Sequence, residues 1–152
     1  MLSGKKAHPM KTALLGASLF LGFLAGTVAG AFSFLGLPMP VAAALEEALK
    51  LAAIFAALVL CGKPKLARNA GVACGLLAGI GFGSAELVNY FVASYYHNLS
   101  LWLLRLPPLA MHAATGAILG YAAHAAGKRG WLPAAAGFAA AIGIHLAFNY
   151  LV

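Results

Sequence analysis

The sequence predicts an all-α, polytopic membrane bundle of about five helices, and three observations carry that prediction. Hydrophobic residues make up 63% of the chain, mean hydropathy is +0.92 and only 9% of residues are charged, a balance no water-soluble domain needs. Five apolar windows, 11–35, 41–62, 69–95, 103–126 and 131–152, each approach or exceed the ~20 residues that cross a bilayer's hydrocarbon core. Short polar or Pro/Gly-containing connections separate them, so little of the 152 residues is left outside. The expectation is one integral membrane domain over 1–152.

The first window follows a basic stretch and ends in small residues near Val28–Ala31, as a signal peptide would. Its apolar run is longer than the usual ~7–15 residues, so it reads as a retained helix. Gly22, Gly26 and Gly30 recur every four residues along it. Such spacing lets helix backbones approach closely in lipid.

The second window contains Glu46, Glu47 and Lys50. A charge inside a membrane segment costs about 2.5–3.5 kcal/mol even on lenient scales, so three are rarely accidental. Glu46 and Lys50 stand four apart and are expected to pair, while Glu47 points about 100° away toward other neighbours.

The third window repeats the glycine spacing at Gly71, Gly75, Gly79 and Gly83, and Glu86 continues that face into the bundle, with Asn89 beyond it. Two glycine rows leave a homodimer open. The fourth opens with Arg105 and Pro107–Pro108, which suit a first helical turn. His112 and Thr115 follow, with Gly116 and Gly120 on the face of His112. The fifth carries His145 and Asn149 on one face.

The net charge of +7 is placed by topology. Lys5, Lys6 and Lys11, then Lys63, Lys65 and Arg68, then Lys128 and Arg129 fall at alternate helix ends, hence on one side of a serpentine. The positive-inside rule makes that side cytoplasmic, with the C-terminus outside the plasma membrane. Anionic lipid is a partner for these charges; nucleic acid is not. Cys61 and Cys74 show no metal-type spacing and imply no disulfide. Tyr95, Tyr96, Trp102 and Trp131 stand at helix ends as interfacial anchors.

Counted from the helix ends, Glu46, Glu86, His112 and His145 all fall roughly 8–14 Å from the outer face. Asn89, Asn149 and Arg105 lie slightly above. Two carboxylates and two imidazoles at one depth form a site suited to activating water: a Glu to take its proton, His to orient it, and an amide such as Asn149 to stabilise an oxyanion. The same residues admit a metal centre, since Glu46, His112 and His145 are a reasonable Zn set, although HExxH is absent. A small proton-coupled transporter is the competing class, but a relay strings its groups through the membrane rather than stacking them at one level. A non-catalytic scaffold is a third alternative.

Several stretches resemble a known family. Glu46-Glu47-Ala-Leu-Lys50 resembles the EExxK motif of PrsW-type intramembrane proteases, within the superfamily of CAAX prenyl endopeptidases and Abi proteins. Gly79-Ile-Gly81-Phe82-Gly83-Ser-Ala-Glu86 resembles their GxGFAxxE stretch, except that Leu87 follows where Asn is frequent. Arg105 with His112 and Thr115, then His145-Leu-Ala-Phe-Asn149, resemble the remaining motifs. The resemblance implies a glutamic-type endopeptidase acting on a membrane-embedded protein or peptide, with no cofactor required. It implies Glu46 as general base supported by Glu47, His112 and His145 as water-positioning or intermediate-stabilising groups, and Asn149 as oxyanion donor. Lys50, Glu86, Asn89 and Arg105 are implied in support.

Overall fold

A computed structural model describes residues 9–33, 35–61, 67–94 and 103–151. Within them five helices run in series: α1 Pro9–Ser33, α2 Met39–Leu60, α3 Arg68–Ser94, α4 Leu106–Arg129 and α5 Leu132–Leu151. The all-α prediction stands. Most helix ends fall within about two residues of the windows, and the exceptions have local causes. α4 starts and ends three residues later than expected, with Arg105 as its N-cap and Pro107 and Pro108 in its first turn. Its last turn takes in Lys128 and Arg129, whose charges suit the negative end of the helix dipole, and Gly130, at φ 81°, ends it. Gly36, at φ 60°, turns the chain between α1 and α2.

The helices α1, α3 and α5 contain stretches long and apolar enough to cross a membrane, Lys11–Ser33, Arg68–Val92 and Leu132–Leu151. The other two match them in length, at 22 and 24 residues, but carry the polar groups that turn toward one another inside the bundle. Large apolar side chains such as Phe20, Leu24, Val59, Val92 and Ile144 face outward, as lipid requires.

α3 is the central element, and its glycines explain why. On one side α1 lies against it: a side chain at Gly26 would stand 2.5 Å from the Phe82 carbonyl oxygen, and Gly22 sits on the Ala78 backbone. On the other side Gly71, Gly75 and Gly79 interlock with Gly116, Gly120 and the backbone of His112. Both glycine rows are therefore used within the chain, which removes them as the basis for a homodimer.

Gly75→Ala is expected to lower the unfolding midpoint in detergent by several degrees, since its new methyl would meet backbone on α4, 2.7 Å from the Gly120 Cα, and backbone cannot yield as a side chain can. Gly16→Ala, with open space around it, is the control and should hold or raise the midpoint. Equal midpoints for the two variants would contradict the seam.

Candidate active site

The cluster forms where α2 and α4 begin and α3 and α5 end. Glu46 is seven residues into α2, His112 six into α4, Glu86 eight before the end of α3 and His145 six before the end of α5, all roughly 9–12 Å from that end of the bundle. Phe82, fully buried, closes it on one side with its ring 5.0 Å from that of His112. Farther along the same helices, Ile54, Ala78, Leu119, Ala123 and Ala141 fill the interior with apolar side chains.

Lys50 is the hub. It has no exposed surface, and its ammonium donates to Glu47 Oε1 at 2.5 Å, to Thr115 Oγ1 at 2.9 Å and to His112 Nδ1 at 3.0 Å. The expected Glu46–Lys50 pair is thus a Glu47–Lys50 pair, three residues apart instead of four. Both spacings bring side chains together on a helix. The inward face of α2 carries Glu47 and Lys50, leaving Glu46 at its edge with 20% of its side chain exposed.

The partners assign the imidazole protons. An ammonium has only donors, so His112 Nδ1 accepts, and His112 Nε2–H donates to Glu86 Oε2 at 2.7 Å. His145 Nδ1 donates to Glu47 Oε1, also at 2.7 Å. A neutral His145 then presents a bare Nε2, which faces Glu46 Oε2 at 3.5 Å. That oxygen is buried and has no hydrogen-bond partner among the described residues. The two imidazole rings meet edge-on at 5.2 Å.

Other residues singled out from the sequence go elsewhere. Asn89 packs against Gly30 of α1. The Arg105 guanidinium lies 3.2 Å from the centre of the Tyr90 ring, at the end of α3. Asn149 is exposed, one turn beyond His145. Thr115, read from the sequence only as part of the His112 stretch and given no role, proves to be a ligand of the Lys50 ammonium; the three-residue step from His112 was the available signal. Tyr95, Tyr96 and Trp102 lie outside the described residues, whereas Trp131 is strongly exposed at a helix end.

The sequence matches the family profile described as PrsW family intramembrane metalloprotease over residues 7–152. The chain belongs to the PrsW family. Searches of curated proteins and of solved structures returned no match. Membership makes the protein an intramembrane protease by family, with membrane lipid around it and a protein substrate.

The PrsW description names a metal, and Glu46, His112 and His145 each offer a ligand atom within 4.8 Å of the others. The distances suit an ion. The hydrogen bonds do not. Glu47 orients His145 as an outer carboxylate orients a zinc-bound histidine, and Glu46 Oε2 is open, but His112 has both nitrogens committed, one accepting from Lys50 and one donating to Glu86. Of the three residues only Glu46 and His145 keep a free ligand atom, where a catalytic zinc takes three protein ligands. As arranged, the PrsW cluster does not fit a zinc centre.

Proposed function

We propose that this protein hydrolyses a peptide bond in or beside a membrane-embedded substrate, with Glu46 as general base on the attacking water and no metal in the step. One observation carries the reading: a buried, unpartnered carboxylate oxygen facing a bare imidazole nitrogen at 3.5 Å, the imidazole held from behind by Glu47. A water donating to Glu46 Oε2 and His145 Nε2 keeps its lone pairs for the substrate carbonyl. As the tetrahedral intermediate forms, Glu46 takes the water's proton and later returns it to the leaving amine. Glu47 and Lys50 are positioning residues. Glu47 fixes the His145 proton on Nδ1, and Lys50 fixes the His112 proton on Nε2. His112 Nε2–H, now on Glu86, is the donor assigned to a developing oxyanion.

The glutamic assignment and the placement among CAAX and Abi relatives rest on the motifs around Glu46, Glu86, His112 and His145. Orientation follows the charges: Lys11, Arg68, Lys128 and Arg129 are exposed at the opposite end from the cluster, so the positive-inside rule puts the cluster near the outer face of the plasma membrane.

Purified protein in micelles, offered a panel of single-span membrane substrates, tests this. Cleavage is expected to persist within about twofold in a strong chelator and to fall at least ~10²-fold in His145→Ala. Chelator-sensitive activity restored by Zn²⁺ would transfer the water to a metal and refute the metal-free step. Absence of cleavage from every form would remove the protease reading itself.

A further inference from the structure

Between the last turns of α1 and the first turns of α2 lies a cavity of about 220 Å³. Ala29, Phe32, Leu37, Ala42 and Leu45 line it, and Glu46 forms part of its wall. The residue that would activate water is thus also part of the wall of the cavity, so an occupant packs against Glu46. Resting on the reading of Glu46 as base, we propose that this cavity is the specificity subsite, holding one large apolar side chain of the substrate beside the scissile bond.

Size, polarity and charge each narrow the occupant. An apolar cavity of about 150 Å³ accepts benzene, so this one admits a Leu, Ile, Met or Phe side chain and leaves most of its wall untouched by Ala. Its other polar side chain, Ser33, already donates its hydroxyl proton to the Gly30 carbonyl at 2.6 Å and offers no donor to a polar substituent. An acidic side chain would meet Glu46 with no cation on the wall to offset it. A Lys or Arg would pair with the carboxylate and occupy the base. Apolar burial is the one interaction the lining rewards. Ala29 and Ala42 contribute little bulk to it, one from each helix, and Gly36 keeps the turn beside it free of a side chain.

The test uses membrane substrates identical except at the residue next to the cleaved bond, which is Leu, Phe, Ala or Lys. The wild type should favour Leu and Phe over Ala by about 10-fold or more in kcat/KM, the discrimination apolar pockets achieve, and should reject Lys. Ala42→Phe, which fills the cavity, should reduce that ratio at least fivefold, and Leu45→Ala, which widens it, should shift the preference toward Phe. Thermal unfolding of both variants confirms that they are folded. The same peptides are then bound to Glu46→Gln protein, where affinity is read without turnover and Leu should again exceed Ala. Discrimination in binding with no cleavage by the wild type would overturn the protease reading and keep the subsite. Cleavage with a preference unchanged in both cavity variants would overturn the subsite and keep the protease. Release of a co-purified lipid by Ala42→Phe without a change in preference would assign the cavity to an acyl chain and overturn the proposal.

Discussion

Glu46→Gln is expected to abolish cleavage, by about 10²–10⁴-fold, while leaving the protein as stable as the wild type. The two halves of that expectation come from the same geometry. Glu46 makes no ion pair with Lys50, which is taken by Glu47. Its Oε2 has no hydrogen-bond partner among the described residues and faces His145 Nε2 at 3.5 Å. Glutamine fills the same space, and its amide can donate to that nitrogen, so the fold loses nothing. What it loses is the base. An unfolding midpoint within about 2 °C of the wild type, under 1 kcal/mol for a chain of this size, separates a chemical defect from a structural one. Wild-type turnover by Glu46→Gln would sink the assignment. The same substitution at the neighbouring acid should behave oppositely. Glu47→Gln leaves the buried Lys50 ammonium without its counter-charge, so stability falls along with activity.

That contrast marks where sequence reading stops. Depth along a helix is linear in residue number, so the common level of Glu46, Glu86, His112 and His145 was legible from window boundaries good to a few residues. The glycine rows were legible too, because close approach in lipid has few other solutions. Which of two adjacent acids takes the lysine was not. Spacings of three and four both reach, and the choice falls to the face α2 turns toward Thr115 and His145, 65 and 98 residues away from their partners in sequence. The outlying polar residues were misplaced for a related reason. Asn89, Arg105 and Asn149 stand near the right depth but on other faces: the first against Gly30, the second on Tyr90 and the third exposed. Depth follows from counting, whereas azimuth depends on how the helices pack.

Lys50→Met should be the most destabilising single change in the molecule. Methionine is close to lysine in volume and leaves no large void, so the cost is electrostatic. Glu47, with no exposed surface, would keep only its bond to His145, and Thr115 and His112 Nδ1 would each lose the Lys50 ammonium. Breaking a buried ion pair by removing one partner costs about 3–5 kcal/mol. For a chain of this size that lowers the unfolding midpoint by about 10 °C. The paired variant Lys50→Met with Glu47→Gln removes both charges and should recover more than half of the loss, because the penalty lies in the stranded charge and not in the missing contact. Midpoints of the two single variants and the double variant, measured in the same micelles, check this. A fall of under 2 °C in Lys50→Met would mean that Glu47 is already satisfied without it. Activity should not recover with stability. In the double variant His112 Nδ1 has lost the ammonium that made it an acceptor, so the ring is free to carry its proton on either nitrogen and Nε2–H is no longer guaranteed at Glu86. A stable protein with little turnover would separate the stability that the Glu47–Lys50 pair contributes from the positioning of His112 and His145 that the same two residues perform.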